Sequence, residues 1–154
     1  MPQFVLEGRS SLEFRELDGF TRGYIEALFF TNTESGTDRE SHSRERVEAG
    51  EISELPGDYG IHDLAPETLE AIKADCEAFQ KANESALSRA YECDGYSDAH
   101  AGGDFWYTRN GHGVGFWDRS QLKEAGVDSD LTEASEKAGG RDVYMGDESL
   151  VYLS

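Results

Sequence analysis

The chain has 154 residues, with 32 acidic side chains against 14 basic ones and a formal net charge of −18. That length suits one domain, and a 37% hydrophobic content that includes 8 Phe, 7 Tyr and 2 Trp supplies one modest core, unlike an acidic disordered tail. The charge argues against direct binding to nucleic acid, which needs a basic footprint to meet phosphate, and against docking on anionic lipid.

No run approaches the roughly 20 apolar residues that span a bilayer. The opening MPQFVLEGRSS lacks the charged start and apolar stretch of a signal peptide, so a cytoplasmic protein without a membrane partner is expected. Phe4 to Phe14 is a strand candidate. Leu17 to Thr31 reads as a helix with Asp18 as its N-cap; Phe20, Tyr24, Ala27 and Leu28 share a face that Phe29 and Phe30 widen, which makes the element central to the core. Asn32 to Gly60 breaks the pattern with Ser, Thr, Gly and charge, and reads as an acidic loop or insertion. At nearly thirty residues its length marks it as mobile, functional, or hiding a short helix around Arg44 to Glu48.

Pro66 to Glu92 is expected to be one long helix, with Asp63 a candidate cap and Pro66 in the first turn. Leu69, Ile72, Cys76, Phe79, Asn83, Ala86 and Ala90 form its buried stripe, while Glu67, Glu70, Glu77, Glu84 and Glu92 project outward. Cys76 and Cys93 would lie about 25 Å apart along such a helix at roughly 1.5 Å per residue. That is beyond disulfide reach, and the thiols read as core filler rather than redox or zinc ligands.

Phe105 to Arg119 (FWYTRNGHGVGFWDR) reads as a β-hairpin turning at Asn110-Gly111. Alternation puts Phe105, Tyr107, Val114 and Phe116 on one face and Trp106, Thr108, Gly113, Gly115 and Trp117 on the other. Asp130 to Ala138 is a short helix candidate, capped by Asp130 and stopped by Gly139-Gly140. Asp142 to Met145 and Leu150 to Leu153 form a second hairpin about Gly146-Asp147. Helices followed by antiparallel strands predict one acidic α+β domain over residues 1–154, with hairpins packed against two to three helices.

Four stretches carry a resemblance: FTRGYIEALFFT (20–31), LAPETLEAIKADCEAFQKAN (64–83), GGDFWYTRNGHGVGFWDR (102–119) and VYMGDESLVYL (143–153). Over most of its length the sequence resembles a family of small acidic proteins encoded by bacteriophages and prophages, the third stretch being the distinctive one. Asn32 to Gly60 departs from the family's pattern in length and acidity. The resemblance implies a phage setting in a host-cell cytoplasm and brings no activity with it.

The acidity is spread along the chain, with residues 34–63 netting −6 and residues 118–154 netting −5. A body that is negative over much of its surface has the electrostatic outline of a nucleic-acid mimic. The expected partner is then a basic host protein, such as a nuclease or a CRISPR effector, and the expected role is anti-defence inhibition. One helix is insufficient: a roughly 39 Å helix faces some twenty-three phosphates of duplex DNA, at about one charge per 1.7 Å, while residues 64–92 net −3. The mimic must therefore combine Glu70, Glu77 and Glu84 with the insertion (Glu45, Glu48, Glu51, Glu54, Asp58) and the later acids Asp128, Asp130, Glu133 and Glu136. The competing reading is an accessory phage protein whose acids serve only solubility or salt adaptation.

An enzyme reading would centre on Arg109, Asn110, His112 and Asp118. Along a hairpin, however, His112 and Asp118 are roughly 20 Å apart at about 3.4 Å per residue, and a turn role explains the histidine without catalysis. A third reading makes Trp106, Tyr107, Arg109, His112 and Trp117 an interaction site, with aromatics and Arg as anchors. It requires that Trp106 and Trp117 are not both covered. His100 with Asp104, and His62 with Asp63, have ligand-compatible spacing but fall short of the three or four donors of a metal site. Gly113 and Gly115 read as space beneath Trp106, and no phosphate-cradling or nucleophile-elbow motif occurs. Neither metal nor cofactor is expected.

Overall fold

The computed structural model describes residues 15–32, 63–146 and 150–153. The strand candidate at Phe4 to Phe14 and almost all of the acidic insertion lie outside them. The sequence predicts an α+β sheet of hairpins. The described residues instead form six α-helices and one two-stranded hairpin, so the fold is mostly helical.

The first helix, α1, spans Gly19–Asn32. Asp18 caps it as predicted, its Oδ1 accepting from the Thr21 N–H at 2.7 Å. At the other end the Thr31 hydroxyl donates to Ala27 O and the Asn32 amide to Leu28 O, both at 2.9 Å, which occupies carbonyls the helix cannot serve itself. Phe20, Tyr24, Ala27, Leu28 and Phe29 are buried, whereas Phe30 is 63% exposed and does not widen the core face.

The predicted long helix is divided. α2 spans Pro66–Ala82 and α3 spans Glu84–Tyr91, with Asn83 leaving helical geometry between them at φ −119° and ψ 25°. Its side-chain amide donates to Phe79 O at 2.9 Å, in competition with the backbone ladder. Asp63 does not cap α2: Ala65 is the N-cap, and Pro66 occupies the first turn. The helix start is tied to the far end of the chain, since Val151 O accepts from both Ala65 N–H at 3.1 Å and the Thr68 hydroxyl at 2.8 Å. In the stripe, Ile72, Cys76, Phe79 and Ala90 are buried, and Leu87 replaces Asn83 and Ala86 as the buried residue after the break. Both cysteines are free thiols.

The predicted hairpin at Phe105 to Arg119 is overturned. Its first half is the end of α4, Asp98–Arg109, which Ser97 opens through a capping box with His100. Gly111, at φ +70°, ends the helix. The Gly111 N–H donates to Thr108 O and the His112 N–H to Tyr107 O, closing a Schellman motif, and the His112 ring meets Tyr107 edge-on at 6.0 Å. Asn-Gly thus stops a helix instead of turning a ribbon, since the same left-handed glycine serves both. Phe116–Asp118 is a short 3₁₀ turn. Gly113 has nothing beneath it, and Gly115 makes room for the Thr108 hydroxyl, not for Trp106.

α5, Ser120–Ala125, and α6, Asp128–Ala138, follow. α6 starts two residues before the predicted point, with Asp130 in its first turn instead of at its cap. Val143–Met145 (β1) and Val151–Leu153 (β2) pair antiparallel, Tyr144 opposite Tyr152, as the predicted C-terminal hairpin.

The dominant packing is α1 against α4. A Cβ at Gly23 would overlap the Ala99 carbonyl, and one at Gly102 would overlap the Phe20 carbonyl, so the two backbones touch where side chains would otherwise hold helices 8–10 Å apart. Around this crossing Phe79 stacks on Phe105 at 4.1 Å, Trp106 sits edge-on to Tyr24 at 5.2 Å, and Trp106 Nε1 donates to Thr31 Oγ1 at 2.8 Å. Gly102→Ala is expected to cost at least about 2 kcal/mol in urea unfolding. Gly113→Ala, where a Cβ meets open space, should stay within about 0.5 kcal/mol of wild type.

Candidate functional site

Aspartates withdrawn from solvent need partners, and two of them, the half-buried Asp75 and the buried Asp104, collect three guanidiniums. Asp75, on α2, accepts from Arg109 Nη1 at 2.8 Å and from Arg141 Nε and Nη2 at 2.9 and 3.0 Å. Arg109 is itself buried under α4. It donates to the Tyr24 hydroxyl at 3.1 Å, to Gly139 O at 2.7 Å and to Ala138 O at 3.3 Å, with its guanidinium carbon 4.8 Å from the Phe105 ring centre. Four of its five N–H donors therefore hold α1, α2, α4 and the end of α6 together. Burial pushes the Asp75 carboxyl up, but the hydrogen bonds from Arg141 and Arg109 outweigh it and hold the group below the usual carboxylate range.

The second centre is Asp104, fully buried on α4. Arg119 grips it with Nη2 at 2.6 Å from Oδ1 and Nε at 3.1 Å from Oδ2, and the Tyr96 hydroxyl donates to Oδ2 at 2.7 Å. This paired fork fixes the segment after α4 against that helix. The hydrogen bond to Asp104 raises the Arg119 guanidinium pKa further. Burial raises the Cys76 thiol, which keeps it protonated and non-nucleophilic near neutral pH.

The residues of the predicted hairpin site separate. Trp106 is 1% exposed and Arg109 is buried, so both belong to the interior; Tyr107 and His112 are half-buried, and Trp117 is 41% exposed on the 3₁₀ turn. Among the described residues no hydrogen bond joins His112 to Asp118 or to Arg109. Partial burial lowers the His112 pKa. His100 accepts from the Ser97 N–H in its capping box, and Asp104 serves Arg119, so that predicted pair is divided between two structural tasks. His62 lies outside the described residues, and no group of three metal-ligating side chains occurs among them.

Of the predicted acidic surface, Glu45, Glu48, Glu51, Glu54 and Asp58 fall outside the described residues. Glu70, Glu77 and Glu84 are exposed on α2 and α3. On α6, Asp130, Glu133 and Glu136 are exposed and Asp128 is half-buried. Glu70 meets Lys73 at 3.6 Å, a surface contact worth little. Glu77, Glu84, Asp130, Glu133 and Glu136 meet no cation among the described residues. α3 packs against α6, so the two acid-bearing regions adjoin.

Several open clefts flank the core among the described residues, two of them against the ionic centres. One, of about 590 Å³, lies between α2 and α6 and is lined by Asp75, Phe79, Asn83, Arg109, Lys137 and Arg141, among others. The other, of about 460 Å³, lies between α1 and α4, with Glu26, Phe30, Tyr107 and Arg119 in its walls.

The sequence reading misses Asp75, Arg119 and Arg141, and it weighs Asp104 only as a metal ligand beside His100, not as the partner of Arg119. A signal for Asp75 is present, since it lies three residues after Ile72 and four before Phe79, on the flank of the buried stripe. Nothing local pairs it with Arg141, 66 positions away.

No helix among the described residues is long and apolar enough to cross a membrane. Comparison with protein-family models, curated proteins and solved structures finds no match to the chain.

Asp75→Asn leaves two guanidiniums facing a neutral amide. Because the carboxylate is partly solvated, an expected loss of about 2 kcal/mol near pH 7, read by urea unfolding, lies below the range for a fully buried pair. The lowered folded pKa means that the Asp75 contribution is complete above the unfolded value of about 4 and is lost as pH falls through the folded value. The gap between wild type and variant should therefore narrow in unfolding series taken below about pH 4.

Proposed function

We propose that the protein acts by binding, as an acidic phage-type decoy that occupies a basic, nucleic-acid-binding surface of a host protein such as a nuclease or a CRISPR effector. The observation that carries this reading is the direction in which the cations face. Arg109, Arg119 and Arg141 are committed to Asp75 and Asp104, and Arg89 donates to the Ala125 carbonyl, while the exposed carboxylates of α2, α3 and α6 are left without guanidinium partners among the described residues. An acidic surface that merely balanced its own charge would interleave the two signs.

The division of the long helix bears on the mechanism. α2 contributes 17 residues, or about 26 Å, so its acids cover a short length of any groove that accepts duplex DNA. α3 starts anew after Asn83 and packs against α6, which supplies Asp130, Glu133 and Glu136. A charge array drawn from several elements follows a curved basic groove better than one straight helix. Approach would be steered by long-range attraction, with fast association that salt suppresses.

The test is a titration of the full chain against a basic host nuclease and a CRISPR effector across an ionic-strength series. Affinity should fall steeply with salt, and the combined variant Glu77→Gln, Glu84→Gln, Glu133→Gln, Glu136→Gln should bind about tenfold more weakly in low salt, a change of about 1.4 kcal/mol. Absence of binding in low salt, or affinity indifferent to both salt and the four amides, rejects the decoy.

A further inference from the structure

The cleft between α2 and α6 reverses the charge balance of the protein around it. Among the described residues its lining includes Arg109, Lys137 and Arg141 against one carboxylate, Asp75, in a chain with 32 acids and 14 bases. The geometry points to this cleft as a binding site for a small organic anion, one that joins a phosphate or carboxylate group to a flat apolar body. This goes beyond the decoy reading and does not depend on it.

The roles of the three cations differ. Arg109 has four of its five N–H donors on Asp75, Tyr24 and two carbonyls and a side chain only 3% exposed, so it supplies field and not contact. The Asp75 fork orients the Arg141 guanidinium at the cleft wall. Lys137, exposed in the last turn of α6, meets no carboxylate among the described residues and is the cation able to close on a ligand. Fixed charges beside low-dielectric walls focus potential into the opening. Those walls are apolar on one side, where Phe79 and Phe105 stack at 4.1 Å beside Ala78, Ala82 and Ala134, and Asn83 adds an amide at the rim. About 590 Å³ lies within the usual range of small-molecule sites, roughly 300–1,000 Å³.

Size is selected by charge. Glu133 and Glu136 stand exposed on the helix that carries Lys137, so a polyanion long enough to overrun the cleft meets repulsion that a compact ligand avoids. Nucleic acid and acidic peptides are thereby disfavoured, and a single anionic group with a ring-sized apolar part fits.

Phenyl phosphate, inorganic phosphate and phenol serve as probes, each titrated into the intact chain and followed by two-dimensional NMR. Phenyl phosphate is expected to give saturable shifts confined to residues around Asn83, Lys137 and Arg141, at lower concentration than either of its parts. Lys137→Gln should weaken it about fivefold, while Lys123→Gln, which removes the same charge on α5 away from the cleft, should leave it unchanged; unperturbed spectra elsewhere confirm that both variants fold. The proposal is overturned if phenyl phosphate gives no saturable shifts, if both lysine variants weaken it equally, or if inorganic phosphate binds as well as phenyl phosphate.

Discussion

The closeness of α1 and α4 is the constraint on which the other contacts depend. With no Cβ at Gly23 or Gly102, each helix rests on a carbonyl of the other, and the gain is contact density, since rings on both helices are drawn into the same small volume. Phe20 and Tyr24 from α1 then reach Phe105 and Trp106 from α4, and Phe79 of α2 completes the stack. The same approach carries the Tyr24 hydroxyl to Arg109. A wider spacing would leave that guanidinium without one of its acceptors and loosen its hold on Asp75. Backbone proximity, aromatic stacking and the buried ion pair are thus successive consequences of two missing methyl groups.

Charge is partitioned with comparable economy. Two aspartates engage three arginines where solvent is scarce, and hydrogen bonding to both aspartates offsets the desolvation of the ions. The exterior is left correspondingly more negative. Self-repulsion on such a surface favours expansion, and the ring cluster together with the two ionic clasps opposes it. The residual positive character of the α2–α6 cleft is the counterpart of the same partition, because among the described residues one carboxylate stands there against several cations.

Legibility in the sequence follows the range of the interactions involved. The first helix is readable because its cap and apolar face are local: Asp18 precedes Thr21 by three residues, and Phe20, Tyr24 and Leu28 recur at helical spacing. The outward glutamates of α2 and the closing hairpin are readable for the same reason. The misreading at Phe105 to Arg119 arises because neighbouring aromatics satisfy a two-residue alternation as well as a helical turn, and because Asn-Gly ends helices and turns ribbons alike. What decides between them is Gly102 against Phe20, a contact across 82 positions that no local window contains. The candidate site divides likewise. Exposed acids follow from helical periodicity, whereas the Asp75 and Asp104 clasps follow from tertiary geometry, and so does the cation-lined cleft.

The shared acceptor at Val151 has a bearing on biosynthesis. The Ala65 amide and the Thr68 hydroxyl both depend on a carbonyl of β2, which emerges from a ribosome some 83 residues after Thr68. Until then neither group has that acceptor, and Leu64 lacks the strand it bridges. The α1–α4 aromatic nucleus can assemble during translation, but the start of α2 can be sealed only once β2 has been threaded back to it. The opening turn of α2 is therefore closed by a long-range contact and not by its neighbours in sequence alone.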